Sequence, residues 1–202
     1  MKIAIGLPIN GWMPAQALAS FIPLITTTML NRQLLDVYMS SHNLLSMARQ
    51  VICDLALKDG ATHLLFVDSD IITPPDLAQR LMRHAKPVVS ALYYARTDPW
   101  NPVAAEHPVP GGFEAISHEV AAQPGLMRVW CVGFGACLIH ADVLRHLSKS
   151  GPLFEFACRE GEDMYFARRC EAADIGIWLD RDTVCGHVGT QIVNASTAGK
   201  FQ

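Results

Sequence analysis

The stretch His63-Leu64-Leu65-Phe66-Val67-Asp68-Ser69-Asp70 has the plainest chemical content in the chain. A short apolar run ends in two carboxylates with one small residue between them. Two anions this close repel each other unless a cation lies between them, and carboxylate oxygens suit Mg²⁺ or Mn²⁺. Asp68 and Asp70 are therefore candidate metal ligands. The same spacing also occurs in solvated turns and at helix caps, and Thr73-Pro74-Pro75-Asp76 is itself a helix-start signature. A second acidic group, Glu160-Gly161-Glu162-Asp163, opens a helical pattern, where acids complement the positive helix end. His187 stands in a small-residue setting, Cys185-Gly186-His187-Val188-Gly189.

These groups need elements to hold them. Gly60 and Pro74-Pro75 bound the acidic run, which reads as a strand buried on both faces. Its two acids then sit at the carboxyl end, where open α/β sheets bind ligands. Lys2 to Leu7 reads as a first buried strand that stops at Pro8. Asn10, Gly11 and Pro14 form a loop over its carboxyl end, suited to a nucleotide contact or to plain surface. The segment 15–37 reads two ways: Ile22 to Thr28 is β-branched like a strand, and Met29 to Val37 fits a helix. Leu44 to Lys58 is the clearest helix, with Leu44, Ala48, Val51 and Leu55 on one stripe, Ser41 or Asn43 as cap and Gly60 as terminator. Arg49 lies on it, either facing solvent at the helix edge or aimed at a diphosphate.

A helix capped by Thr73 and running to about His84, then a strand from Val88 to Tyr94, makes a βαβ unit and a largely parallel sheet. Residues 96–125 read as a long irregular insertion, rich in proline, in which Trp100 and Phe113 either stack on a substrate or anchor the loop. Met127 to Val132 reads as a strand. Gly133-Phe134-Gly135 follows, its glycines leaving room for something to approach the backbone closely or making a bulge, and Ala136 to Ile139 is a second apolar run. Ala141 to Leu147 and Met164 to Ala173 read as helices, and Ile177 to Leu179 as a strand. Phe154 and Phe156 lie on a loop, and the tail 194–202 is polar and small, as frayed ends are.

With 202 residues, half of them hydrophobic and 17% charged, the chain is long enough for one packed core and is not disordered. A single domain over 1–202 is expected. The formal charge of -3 gives no general grip on nucleic acid. No apolar run approaches the ~20 residues that span a bilayer. Pro8 interrupts the N-terminus before a signal-peptide core could form, so a cytoplasmic location is expected. Six cysteines without a CxxC pair read as small core hydrophobes rather than as a zinc site or disulfide framework.

In this order the parts resemble the GT-A-fold glycosyltransferases, in particular small family-two-like members, over Lys2 to about Gly189. His63 to Asp70 looks like that family's Asp-x-Asp strand. Gly133-Phe134-Gly135-Ala136-Cys137-Leu138-Ile139 is similar to its glycine-containing strand beside the acceptor site. Gly161-Glu162-Asp163-Met164-Tyr165-Phe166 matches the Glu-Asp-x-x-Phe helix start, and His187 falls where many members place a further metal ligand. Ser46-Met47-Ala48-Arg49-Gln50 resembles an Ala-Arg-Asn segment that helps hold the diphosphate, with Gln50 standing for the asparagine.

The resemblance implies an α/β fold with a mostly parallel central sheet and helices on both faces. It implies a nucleoside-diphosphate-sugar donor, Mn²⁺ or Mg²⁺, and transfer to an acceptor hydroxyl, expected to be inverting, although the motifs also occur in retaining relatives. Asp70 and His187 would hold the metal. Asp68 would join them, through water, or contact the donor ribose. Pro8, Asn10, Arg49 and Ser69 would line the nucleotide. Asp163 is the expected base, its pKa held down by the helix end, with Glu162 orienting acceptor or base. Saccharide, lipid, protein and modified nucleic-acid base are all open as acceptors, a saccharide foremost. A sugar nucleotidyltransferase would need a glycine-rich phosphate loop after the first strand, which Leu7 to Trp12 lacks. A binding or scaffold protein on the same fold is the rival of another class.

Overall fold

The protein was described from a computed structural model covering residues 1–189, except 10, 42–43, 110–111 and 157–159. The chain opens with β1 (Ile3–Pro8), buried throughout. Helix α1 (Ala15–Leu30) follows and takes up the β-branched segment read as a strand. Its buried residues Ala17, Phe21, Leu24 and Thr28 recur at helical steps, and Thr28 Oγ1 donates to the Leu24 carbonyl at 2.8 Å. Core packing of that stripe outweighs both β-branching and the internal Pro23. Arg32, in the left-handed region at φ 54°, turns the chain; of the stretch read as helix, Met29 and Leu30 end α1 and Leu34 to Val37 fall in β2 (Leu34–Ser40).

Helix α2 (Leu45–Lys58) starts at an uncapped Leu44, so the cap expected from Ser41 is not made; Asn43 lies outside the described residues. Gly60, at φ 80°, ends it. Strand β3 (His63–Val67) and the short β4 (Ile71–Ile72) flank the acids. Helix α3 (Leu77–Met82) begins later than expected, at Asp76 rather than Thr73. Thr73 is instead buried, its backbone N–H donating to Ser20 Oγ of α1 at 3.1 Å. After β5 (Val88–Leu92), the stretch read as irregular carries a hairpin, β6 (Ala104–Val109) and β7 (Gly112–Ala115), and α4 (His118–Ala121). Then come β8 (Leu126–Val129), β9 (Cys131–Val132), β10 (Ala136–His140), α5 (Ala141–Ser148), α6 (Glu162–Ala172), β11 (Ile177–Val184) and β12 (Gly186–His187).

The central sheet has seven strands in the order β2-β1-β3-β10-β5-β11-β8. Strands β2, β1, β3, β5 and β11 point one way, and β10 and β8 the other. The sheet is therefore mostly parallel, as expected, but β3 and β5 are not neighbours: β10 lies between them, antiparallel to both. Alternate residues of β1 and β3 feed two cores. Ala4, Leu64 and Phe66 pack with Ile52 of α2, Leu144 of α5 and Phe166 of α6. Ile5, Leu65 and Val67 pack with Phe21 of α1 and Leu81 of α3 on the opposite face. Helices thus cover both faces. Among the described residues no helix is long and apolar enough to cross a membrane. The described cysteines are free and buried, as read; Cys158 and the tail 194–202 lie outside the described residues.

Candidate active site

Where β3 leaves the core, Asp68 and Asp70 stand on a turn that the backbone fixes at both ends. Asp68 N–H donates to the Gly135 carbonyl at 3.0 Å, and Val188 N–H donates to the Asp70 carbonyl at 2.8 Å. The two-stranded pairing of β4 with β12, with His187 opposite Ile71, lays the distal histidine beside the acids. His187 Nε2 is 3.4 Å from Asp70 Oδ2, and its Nδ1 is 2.8 Å from the Tyr94 carbonyl. A carbonyl only accepts, so Nδ1 carries the proton and Nε2 is the nitrogen turned to the carboxylate. Arg96 completes the group, Nη1 to Asp70 Oδ2 at 2.5 Å, from a largely exposed side chain. Burial pushes the Asp70 carboxyl up, but the His187 hydrogen bond and the charges of His187 and Arg96 win and hold it below its ordinary value. Burial likewise pulls His187 down, and its bonds to Asp70 and the Tyr94 carbonyl more than reverse that.

Arg49 does not face solvent. Its side chain is 2% exposed, with Nη2 2.8 Å from Asp68 Oδ1 and Nη1 2.5 Å from Glu162 Oε1. The guanidinium also lies over the rings of Phe66 and Phe134, 5.7 and 5.1 Å from their centroids. One buried cation thus ties the end of β3 to the start of α6, and its surface is occupied by protein rather than open to a diphosphate. Phe154 belongs to this aromatic cluster, stacked on Phe166 and edge-on to Phe66 and Phe134, whereas Phe156 is exposed.

Asp163 sits beside Glu162 in the first turn of α6, with Oδ1 accepting from Met164 N–H at 2.8 Å. Gly161 leaves it room, since a Cβ there would lie 2.7 Å from that same oxygen. The expectation of a lowered pKa is overturned. Burial raises the Asp163 carboxyl, and the Met164 N–H and Arg49 only partly offset it. Burial raises Glu162 too, against the pull of Arg49. Desolvation beats the helix end because α6 starts inside the protein rather than at its surface. Asp163 lines a cavity of about 320 Å³ together with Asn101 to Ala105, Phe113 and Cys131 to Gly133.

One central residue was not singled out from the sequence. The Tyr93 hydroxyl, fully buried at the exit of β5, accepts from Gly135 N–H at 3.1 Å, and its ring meets His187 edge-on at 5.6 Å. A Cβ on Gly133 would lie 2.1 Å from that hydroxyl, and one on Gly135 2.9 Å from the ring carbon bearing it. The two glycines are therefore the space Tyr93 fills, and they were the signal that a bulky partner exists. Arg96 carried no such signal. Pro8 ends β1 on the same sheet edge as Asp68, given the register of Gly6 opposite Phe66, and Ser69 lies in the turn between the acids; Asn10 lies outside the described residues.

This architecture has solved counterparts. A crystal structure of GalNAc-T7 with UDP, GalNAc and Mn²⁺ superposes with a TM-score of 0.63 at 10% identity, covering 92% of this chain and 43% of that one. The fold is GT-A-like. The crystal structure of A197 from STIV gives a TM-score of 0.58 at 16% identity, covering 96% of this chain and 97% of that one. No family model and no curated protein matches the sequence. At these identities the likeness is one of fold, and the chemistry rests on the side chains. Among the described residues no three His, Cys, Asp or Glu side chains converge as a ready metal cage. Asp70 and His187 bring two metal-ligating groups side by side.

Proposed function

We propose that this protein is a metal-dependent glycosyltransferase that moves a sugar from a nucleoside-diphosphate-sugar to an acceptor hydroxyl, with residues 1–202 acting as one catalytic unit. The observation that carries the reading is the approach of His187 Nε2 to Asp70 Oδ2 across the β4–β12 ladder, with Nδ1 committed to a carbonyl. An imidazole and a carboxylate so arranged would hold Mn²⁺, or Mg²⁺, which would offset charge on the departing diphosphate.

The chain's own residues account for the rest. Asp68, tied to Arg49, is held at the strand end, where it would contact the donor ribose or help hold the metal through water. Pro8, Asn10 and Ser69 would border the nucleotide. Asp163, raised by burial, is a better proton acceptor than a surface aspartate and faces the cavity where a hydroxyl would enter. In transfer with inversion, the acceptor oxygen bonds the anomeric carbon as the sugar–phosphate bond breaks. The electron pair leaves with the diphosphate and the hydroxyl proton passes to Asp163. Glu162, bonded to Arg49, positions Asp163 rather than touching the acceptor. The UDP, GalNAc and Mn²⁺ named with GalNAc-T7 support the donor class only through the shared fold.

One observation favours a binding protein without turnover: Arg96 already neutralises Asp70. Release of nucleoside diphosphate from UDP- and GDP-sugars, with Mn²⁺ and with chelator, separates the two readings. Release that chelator abolishes is expected, and Asp163→Asn should keep donor affinity while losing transfer. Donor binding without release under any metal condition would leave the scaffold reading standing, and unchanged transfer in Asp163→Asn would remove it as base.

A further inference from the structure

Resting on the transferase reading above, we infer that the acceptor hydroxyl is carried on a flat aromatic ring rather than on a sugar. The cavity in front of Asp163 is about 320 Å³, at the small end of ligand sites and enough to seat one ring against Asp163. Among the described residues that line it, only Thr97, Asn101 and Asp163 offer polar side chains. The remaining lining is mostly apolar, Pro99, Pro102 and Phe113 among it.

Several backbone donors of the wall are already committed. Ala95 N–H donates to the Asn101 carbonyl at 2.8 Å, Val103 N–H to Tyr93 at 3.0 Å and Gly133 N–H to Val103 at 3.2 Å. These amides are already satisfied within the wall. A pyranose brings several hydroxyls, and each one buried without a partner weakens binding. A hydroxymethyl arene brings one, and Asp163 receives it. Its ring replaces water along carbon surfaces and stacks on Phe113, whose side chain is half-exposed. Arg96 and its neighbours divide the work: Arg96 reaches Asp70, while Ala95 and Thr97 line this cavity, so the acceptor space adjoins the acidic pair.

The test is saturation-transfer NMR on the intact protein with benzyl alcohol and, separately, methyl glucoside. Benzyl alcohol should bind more tightly. Phe113→Ala should weaken it about two- to tenfold, and Ala115→Trp, which fills the cavity from the hairpin edge, should block it, with thermal unfolding confirming that both variants fold. Tighter binding of methyl glucoside, or benzyl alcohol binding indifferent to both variants, overturns the inference. Nucleoside diphosphate release to water, measured in parallel without acceptor, reports the transferase reading alone. Release without benzyl alcohol binding sinks the aromatic acceptor only, and binding without release sinks the transferase.

Discussion

Arg49 is the residue on which the acidic centre depends. One guanidinium lies between Asp68 and Glu162; Glu162 is buried with it at 8% exposure, whereas Asp68 is partly open at 27%, so solvent screens the Glu162 pair least. Its Nε has no hydrogen-bond partner, so the arrangement accepts one unsatisfied donor to hold two carboxylates. Arg49→Met keeps the apolar stem against Phe66 and Phe134 but removes the charge. Denaturant unfolding should show a loss of about 3–5 kcal/mol, the cost of breaking a buried pair from one side. A change below about 1 kcal/mol, the range of surface pairs, would mean that the carboxylates are wet.

At the scale of elements, the antiparallel insertion of β10 between β3 and β5 matters most. It brings Gly133 and Gly135 over the Tyr93 hydroxyl and thereby positions the turn holding Asp68. Gly133→Ala should destabilise by about 1–3 kcal/mol through overpacking. Tyr93→Phe in the same chain should recover part of that loss, because the nearer of the two clashing atoms is the hydroxyl oxygen, Val103 Cγ1 being the other; full additivity in a double-mutant cycle would contradict this account. The same strand pairing sets His140 opposite His63, rings 4.8 Å apart. Burial, then the His140 charge, lowers the His63 pKa from 6.5 to about 4. Above pH 6.5 His63 is neutral folded or unfolded. As pH falls from 6.5 toward 4 only the unfolded chain takes up the proton, so stability should drop across that window and level off below it. His63→Phe should flatten that slope, and an NMR titration placing His63 near 6.5 would refute the assignment.

For the whole molecule, the site is a junction of parts remote along the chain: the β3 turn, the start of α6, the exit of β5 and the last described strand, β12. A ligand bridging them stabilises the folded state by mass action, by about 2.7 kcal/mol at a hundredfold excess over Kd. Mn²⁺ with a nucleoside diphosphate should therefore raise the melting temperature of the native chain, and Asp70→Ala should lose both that rise and metal-dependent diphosphate release. An equal rise in Asp70→Ala would place the ion elsewhere.

Much of the fold was legible in the residues. Apolar runs bounded by Gly60, Pro8 and Pro74 gave β1 and β3, helical stripes gave α2 and α6, and the acids fell at a strand end and a helix start because local pattern alone decides those positions. What local pattern could not decide was every choice made by distant partners. Residues 15–40 resolved into α1 and β2 because a buried stripe overrode β-branching; β10 reversed direction between two strands that periodicity alone would have paired; the proline-rich segment hid a hairpin. Arg49 was drawn inward by two carboxylates, Asp163 was raised by burial that no spacing encodes, and Tyr93 and Arg96 gained their places from the exit path of β5. The meeting of His187 with Asp70 was implied by resemblance, but its geometry came from the pairing of β4 with β12. Short-range sequence sets which surfaces an element offers; long-range packing selects which of them meet.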